Sequence, residues 1–236
     1  MRIFLVLIIL CTNLQIAHGG NLKKISVKLN YHIYSGKLKL GEGTDTFKKE
    51  NNQYEIVSTT KPSGVASIFA KKILKQSIGK ISSSRLIPDK FQETGRKRGS
   101  RLAVFDWKKK ELRLKHGDKP ETMVSLPDGT VDQASMLYTF AFKDKIDDQY
   151  FIYVTDGKRL KRYQLQKTGE IMLDTKLGRT KTLHMKKITN LDGDRGLEFW
   201  LSIEHYFLPV KIRYIDKKGR HFDSLIYSIE IHPGLI

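Results

Sequence analysis

Histidines, cysteines and carboxylates are the side chains with which this sequence could bind a metal, but their spacing does not favour a metal site. The seven histidines among the 236 residues are scattered, and none follows another at i+2 or i+4, the spacings that place two ligands side by side. The run Asp192-Gly193-Asp194-Arg195-Gly196 begins like a calcium-binding loop, but its twelfth position is Ile203, where a bidentate glutamate belongs. We therefore expect a hairpin turn at this run, no metal site and no cofactor.

Side chains for nucleophilic or acid–base catalysis are equally sparse. No Gly-x-Ser-x-Gly elbow occurs, and the only cysteine is Cys11. Three glycines between residues 36 and 43 precede another alternating segment rather than a helix, so we expect them to ease a strand bend and not to hold a phosphate. Glu198 and Glu204 lie on one strand roughly 20 Å apart at about 3.3 Å per residue, which is too far for a glycosidase pair. The sequence thus predicts no catalytic residue and no enzyme.

The first 19 residues have the features of a secretory signal peptide. Arg2 precedes a short apolar run that ends at Leu10, and small residues stand at Ala17 and Gly19. The run is too short to span a bilayer, which needs about 20 apolar residues, so an uncleaved anchor is disfavoured. Acylation of Cys11 is the other alternative, but the preceding Leu10 is not the small residue that a lipoprotein signal needs. We expect cleavage after Gly19, export to the periplasm and no membrane span in the mature chain.

The remaining chain is strongly basic. Residues 20–236 contain 42 of the 43 basic residues and all 25 acidic ones, a formal charge of +17 once Arg2 is removed. The runs Arg96-Lys97-Arg98 and Lys108-Lys109-Lys110 could contact phosphates, but an exported protein meets lipid, lipopolysaccharide or cell wall rather than nucleic acid. Most lysines alternate with apolar residues, as on a solvated strand face. We expect any partner to be a lipid, a lipoprotein or another anionic envelope component, and we expect no nucleic acid.

Alternation of apolar and polar residues runs through most of the chain. In KKISVKLNYHIY every second residue from Ile25 to Ile33 is apolar, which is the period of a half-buried strand. Comparable segments are Gln53–Thr60, Ile73–Ile87 with a break at Gly79, Leu102–Trp107, Glu111–Lys115, Tyr150–Thr155, Leu160–Lys167, Glu170–Thr175, Thr180–Ile188, Leu197–Glu204, Leu208–Ile215 and Phe222–Ile231. Turn residues such as Asp156-Gly157 and Thr168-Gly169 separate most of them. We expect an antiparallel meander in one β-rich domain, residues 20–236, with a hinge near 120–132 as the alternative.

Two stretches have helical spacing instead. Ser63–Lys75 carries apolar residues at helical intervals, and Val131–Phe142 does so after Asp132, a favourable helix N-cap. We therefore expect a mainly β fold, a curved antiparallel sheet that forms a half-barrel or open barrel meander, with one or two helices covering its open side.

A series of short motifs runs in order along the chain. They are Tyr34-x-Gly36, Leu40-Gly41-Glu42-Gly43, Pro62-Ser63-Gly64, Ser77-x-Gly79, Leu86-Ile87-Pro88, Leu126-Pro127, Val131-Asp132-Gln133-Ala134-Ser135-Met136-Leu137-Tyr138, Phe199-Trp200-Leu201 and Leu208-Pro209-Val210-Lys211-Ile212. In this order they resemble exported bacterial proteins of domain-of-unknown-function family 3108. The resemblance implies a periplasmic, β-rich protein with no established activity, so it supplies no catalytic residue.

The stretch FWLSIEHYFLPVKIRYIDKKG, residues 199–219, predicts a hairpin with one apolar face. Pro209 is tolerated there because a strand start or edge does not need its missing N–H. The stretch is similar to a hairpin in half-barrel carriers of lipids and lipoproteins. The hypothetical ligand-binding face consists of Leu29, Tyr31, Phe199, Leu201, Ile203, Val210 and Ile212.

Three functions remain open at this stage. The first is a periplasmic binding or carrier module for a hydrophobic or anionic envelope component, which needs a cavity. The second is a structural or interaction protein of the envelope with a fully packed sheet, which needs an exposed patch. The third is a hydrolase of envelope polymers, which the absence of a catalytic constellation disfavours.

Overall fold

The computed structural model describes residues 24–141, 143–189 and 195–233, and most of them lie in strands. The strands are β1 Lys24–Ser35, β2 Leu38–Glu50, β3 Gln53–Pro62, β4 Ile73–Ser82, β5 Arg85–Thr94, β6 Arg101–Asp106, β7 Glu111–His116, β8 Thr122–Ser125, β9 Val131–Asp132, β10 Gln149–Thr155, β11 Leu160–Thr175, β12 Gly178–Lys187, β13 Gly196–Ser202, β14 Leu208–Ile215 and β15 His221–Pro233. Two single turns of helix accompany them, α1 Ala66–Phe69 and the 3₁₀ turn η1 Met136–Thr139. The predicted mainly β fold is confirmed.

All the strands belong to one sheet. Its order is β8-β7-β6-β5-β4-β3-β2-β1-β15-β14-β13-β12-β11-β10-β9, so β1 lies at the centre and the chain closes on itself through the β1–β15 pair. Every pair is antiparallel except β9 with β10. We call β1–β8 the first wing and β9–β15 the second wing. The meander predicted from the alternation is therefore correct, and its edge strands β8 and β9 do not pair with each other.

The two ends of this sheet differ in the connections that they carry. In an antiparallel meander, alternate turns lie at the same end. One end, here the open end, carries the turns β1–β2, β3–β4, β5–β6 and β7–β8 of the first wing and β10–β11, β12–β13 and β14–β15 of the second. The other end, here the packed end, carries the alternate turns. The wings curl toward each other and meet at contacts such as Ser77 with Asp132 and Arg101 with Asp156, so that one inner surface of the sheet faces the space between them.

The packed end of that space is filled with large apolar side chains. Phe140, Phe199 and Phe91 are fully buried, and Phe140 and Phe199 have ring centroids 5.5 Å apart. Tyr138 stacks on Phe47 at 5.4 Å. Burial of such side chains, worth about 1.5–3 kcal/mol each, is the main stabilising contribution available to a chain whose only cysteine lies outside the described residues.

Residues 131–141 fill the interior between the wings. Asp132 starts this segment and accepts hydrogen bonds from Ser77 Oγ at 2.5 Å, from the Ala134 amide at 2.8 Å and from the Ser135 amide at 2.9 Å. Ser135 Oγ in turn accepts the Asp132 amide at 3.0 Å. This reciprocal pair closes a local turn over residues 132–135, but the expected role of Asp132 as a helix N-cap is wrong, because η1 begins only at Met136 and Ser135 occupies its N-cap. The Ser77 bond ties the edge strand β9 of one wing to β4 of the other.

Both predicted helices are wrong in extent. Over Ser63–Lys75 the structure has one turn of helix, and β4 already begins at Ile73. Over Val131–Phe142 it has a two-residue strand and one 3₁₀ turn. The apolar residues of Val131–Phe142 are buried on several sides of the segment. Their helical spacing therefore reflects burial and not a helix.

Smaller predictions also need correction. Thr168-Gly169 is not a turn, because β11 continues through it with a register shift against β12. The break expected at Gly79 is a bulge inside β4, and the turn lies at Ser83-Ser84, both at positive φ. The predicted signal peptide, residues 1–19, lies outside the described residues, and so do residues 192–194 of the expected Asp192 turn.

Candidate functional site

A cavity of about 760 Å³ occupies the open end of the sheet, on the concave surface between the wings. Small-molecule sites typically measure about 300–1,000 Å³. Ten basic and two acidic side chains line the cavity. The basic residues are Lys71, Lys75, Arg96, Lys97, Arg98, Arg101, Arg159, Lys161, Lys187 and Arg195. The acidic ones are Asp45 and Asp156. The cavity is therefore strongly cationic.

Apolar side chains form another part of the lining. They come from both wings and from the interior segment, and include Ile33, Ile73, Leu137, Val154, Leu197 and Ile212. Leu137 is 9 % exposed and Val154 is 3 % exposed, so these walls join the packed core directly. A cavity with cations near its mouth and apolar walls toward the core suits a molecule with a charged group and a hydrocarbon portion.

Tyr31 on β1 and Asp45 on β2 line the side of the cavity next to the core, and Tyr138 of η1 contacts Asp45 from within the core. The Tyr31 hydroxyl donates to the Pro209 carbonyl at 2.8 Å, and the Tyr138 hydroxyl donates to Asp45 Oδ2 at 3.4 Å. Burial raises the pKa of both tyrosines well above the ordinary value, so their hydroxyls remain protonated donors. Burial also raises the pKa of Asp45, against the opposing effect of a hydrogen bond from Ser58 and the nearby charge of Lys75.

Lys75 is the basic residue placed deepest among these groups. Its side chain is half-buried at the start of β4. Burial lowers the pKa of Lys75, and the carboxylates of Glu93, Asp45 and Asp132 only partly offset that effect. No carboxylate in the described part of the chain lies within 4.0 Å of its ammonium group. Lys75 is thus a cation in the cavity without a close counterion.

Two further basic residues at the mouth of the cavity, Arg96 and Arg101, form ion pairs with carboxylates. Glu93 is fully buried and forms a short salt bridge with Arg96, and Arg101 Nη1 lies 3.5 Å from the same carboxylate oxygen. The same Arg101 nitrogen donates to Asp156 Oδ2 at 3.0 Å. These pairs fix Arg101, whereas Lys97 and Arg98 form no ion pair with a residue that the structure describes.

The predicted ligand-binding face is divided between core and cavity. Tyr31 and Ile212 line the cavity. The others do not: Leu29, Phe199, Leu201 and Val210 are fully buried, and Ile203 lies in the turn after β13, packed against the core. Their ligand contacts remain untested, and their positions place them in packed structure. Pro209 is the second residue of β14, which agrees with the strand start expected for it.

The hairpin also differs from simple alternation in register. Phe199 pairs with Ile212, but a bulge between Trp200 and Leu201 places Leu201 opposite Pro209. The turn that follows contains Tyr206 and Phe207, both at positive φ. The bulge therefore shifts the pairing of the two strands by one residue on the side of this turn.

Sequence reasoning did not identify Asp45, Lys75, Arg101 or Phe69 as cavity residues. The one signal present was the run Arg96-Lys97-Arg98, noted as able to contact phosphate, which lines the cavity. The similar run Lys108-Lys109-Lys110 lies in the β6–β7 turn at the packed end. Local charge cannot distinguish the two runs, since their difference depends on which turns share an end of the sheet.

Two negative observations hold for residues 24–141, 143–189 and 195–233. No group of three or more histidines, cysteines or carboxylates is arranged to hold a metal ion. No helix has the length and apolar character needed to cross a membrane.

Comparisons with known proteins identify the fold and a family but no activity. Residues 30–224 match the profile of a family described as a protein of unknown function, DUF3108. No curated protein matches the sequence. A crystal structure of a β-barrel-like protein of domain of unknown function DUF1849 from Brucella abortus is similar in fold, with a TM-score of 0.54 and 9 % identity. The similarity covers 88 % of this chain and 98 % of that one.

Proposed function

We propose that this chain, which belongs to the family of unknown function DUF3108, is a non-enzymatic binding protein for a single-chain anionic amphiphile. The ligand would occupy the cavity at the open end of the sheet. The observation that carries this proposal is the lining of the cavity, with ten basic and two acidic side chains around apolar walls.

The charge of the lining favours an anionic group over a neutral one. Cations held close together repel one another, and a bound phosphate or carboxylate relieves that repulsion while forming charge-assisted hydrogen bonds. Lys75 has no close carboxylate partner, and its ammonium group is already partly desolvated. It therefore loses less hydration on binding than an exposed lysine, and we assign it as the main contact of the anionic group.

The apolar walls favour a hydrocarbon portion on the same ligand. Ile212 and Leu197 on the second wing and Ile33 on the first line the same space. Water in contact with these side chains is released when a chain replaces it, at roughly 25 cal/mol per Å² of apolar surface buried. The cavity therefore suits one acyl chain together with its charged group.

The setting that we propose for this activity is the periplasm. Its support is the short apolar run of residues 3–10 after Arg2, with a cleavage site after Gly19. In that compartment the available anionic amphiphiles are envelope lipids and the acyl chains of lipoproteins.

The test uses two probes that share a chain and differ in charge, lysophosphatidylglycerol and lysophosphatidylcholine, below their critical micelle concentrations. Native mass spectrometry and calorimetry should detect a one-to-one complex with the anionic probe and binding at least about tenfold weaker with the zwitterionic one. Equal affinity for both, or binding of neither, contradicts the proposal.

A pair of variants on β14 locates the site. Ile212 lines the cavity, whereas Val210, two residues earlier, is fully buried in the core. Ile212→Trp should abolish probe binding with a small change in stability, because the added volume enters the cavity. Val210→Trp should lower the free energy of unfolding by about 1–3 kcal/mol through overpacking. If binding persists in Ile212→Trp, the ligand does not occupy this cavity, and a packed interaction protein becomes the better hypothesis.

A further inference from the structure

The three most exposed large apolar side chains in the described part of the chain lie together in the β3–β4 connection. Ile68, Val65 and Phe69 are 75 %, 71 % and 68 % exposed. Helix α1, which carries Ile68 and Phe69, contributes no buried residue to the core. We call Val65, Ile68 and Phe69 the apolar tip. Burial of apolar surface cannot explain the conformation of the apolar tip, because its three side chains are mostly exposed.

Local hydrogen bonds nevertheless give the tip a defined shape. The Ser67 amide and hydroxyl both donate to the Gly64 carbonyl, at 3.0 and 2.7 Å, and the Ala70 amide donates to the Ala66 carbonyl at 3.0 Å. Gly64 takes a positive φ of 55°. These bonds hold one helical turn whose apolar side chains project from the protein.

Cations surround the tip. Lys71 and Lys72 follow it directly in the chain. The β5–β6 connection with Arg96-Lys97-Arg98 packs beside them, since Gly95 approaches the Lys72 carbonyl so closely that a Cβ atom would overlap it. No ion pair to Lys71, Lys72 or Lys97 is found within the ranges that the structure describes. An apolar projection ringed by lysines and arginines matches the two requirements of peripheral binding to an anionic bilayer, apolar insertion and attraction to headgroups.

The same region opens into the cavity. Phe69, Ala70 and Lys71 line it together with Arg96-Lys97-Arg98. We propose that the apolar tip inserts into the surface of an anionic lipid bilayer and sets the mouth of the cavity against that surface. Three side chains are too few for a protein interface, which buries about 1,200–2,000 Å² in total, but they suit insertion to about 5–10 Å at the headgroup boundary.

Docking does not depend on what the cavity binds, although passage of a ligand between bilayer and cavity rests on the proposed function. The experiment is flotation of the protein with vesicles of phosphatidylcholine alone or with about 30 % phosphatidylglycerol. The unmodified protein should float with the anionic vesicles and bind the neutral ones at least about tenfold more weakly.

Two matched pairs of variants separate the tip from the rest of the surface. Val65→Glu with Ile68→Glu should weaken vesicle binding at least about tenfold, whereas Ile171→Glu with Met172→Glu, which adds the same charge at two exposed positions on β11 away from the mouth, should leave it unchanged. Lys71→Ser with Lys72→Ser should weaken it several-fold, whereas Lys108→Ser with Lys109→Ser, which removes the same charge at the packed end, should not.

Several results would overturn the docking proposal. They are absence of binding to anionic vesicles, full binding by the Val65/Ile68 variant, and equal losses in the two lysine pairs, which would indicate that net charge alone drives binding. A concentration-dependent dimer without vesicles, abolished by the Val65/Ile68 variant, would assign the tip to self-association. The cavity is tested separately: Ile212→Trp should float like the unmodified protein, and the Val65/Ile68 variant, whose two positions do not line the cavity, should still bind lysophosphatidylglycerol in the absence of vesicles.

Discussion

Arg101 on β6 and Asp156 after β10 form a salt bridge at 3.0 Å although their strands lie near opposite edges of the sheet. Gly157 allows this approach, since it takes a φ of 75° and a Cβ atom there would lie 2.9 Å from Arg101 Cβ. The side chains of Arg101 and Asp156 are 16 % and 15 % exposed. The pair therefore joins the two wings at the mouth of the cavity, where no backbone ladder connects them.

Removing the arginine should open this junction. Arg101→Met leaves Asp156 and the buried Glu93 without their shared partner, and we expect the free energy of unfolding to fall by about 3 kcal/mol in chemical denaturation. Arg220→Met is the matched control, since Arg220 pairs with Asp216 at 2.7 Å but is 64 % exposed. It should cost less than about 1 kcal/mol. Equal losses in both variants would show that the Arg101 pair does not hold the wings together.

The sequence predicted the sheet well because one face of each strand is buried. In β1, Val27 and Leu29 are fully buried, and they alternate with polar residues because only one face of the strand packs against the core. The helices were predicted poorly because helical spacing has other causes. At residues 65–69 it comes from an exposed tip, and at residues 131–141 from a segment buried on several sides.

The cavity could not be predicted from alternation. The inner face of β14 contains Val210 in the core and Ile212 at the cavity, two chemically similar residues of the same strand face. What separates them is how far the interior segment of residues 131–141 extends between the wings. That depends on contacts such as Ser77 with Asp132, 55 residues apart in the chain, which a local pattern does not record.

The Asp132 carboxylate should contribute to stability in a pH-dependent way. Asp132→Ala removes the acceptor of Ser77 and of two backbone amides, and should cost about 3 kcal/mol. Asp132→Asn keeps an acceptor for the amides and should cost less, about 1 kcal/mol.

The sign of the pH effect follows from the pKa of Asp132, which burial raises above its ordinary value despite these hydrogen bonds. A raised pKa means that the folded state favours the neutral acid. The stability that the Asp132 side chain contributes is therefore fully present below the ordinary pKa of an aspartate. It declines as the pH rises through the pKa that Asp132 has in the folded state. Denaturation from about pH 4 to about pH 7 should therefore show the advantage of the unmodified protein over Asp132→Asn shrinking. An advantage that grows with pH would contradict the raised pKa.

Processing of the N-terminus gives an independent prediction. Protein isolated from the envelope fraction should begin at Gly20 and carry no acyl group, because Gly19 ends the expected signal peptide and Leu10 disfavours acylation of Cys11. Intact-mass measurement decides this. A new terminus at Cys11 with the added mass of a diacylglyceryl group would instead indicate a lipoprotein.

Lys75 should contribute to ligand binding without contributing to stability. Burial lowers its pKa below the ordinary 10.5, so the folded state bears a cost for the charged form at neutral pH. Lys75→Met removes that cost, and we expect an unchanged or higher free energy of unfolding. The same variant loses a charge-assisted hydrogen bond to the anionic probe, so its affinity for lysophosphatidylglycerol should fall roughly tenfold to a hundredfold.

The pH dependence of binding distinguishes a direct contact from a general effect of charge. Because burial lowers the pKa of Lys75, this residue should lose its proton as the pH rises toward 10.5, and the affinity of the unmodified protein for the probe should fall. Lys75→Arg stays charged over this range, so its affinity should remain nearly constant. Calorimetric titrations of the two proteins across the range provide the measurement. Parallel declines in both would mean that Lys75 is not the group that contacts the anion.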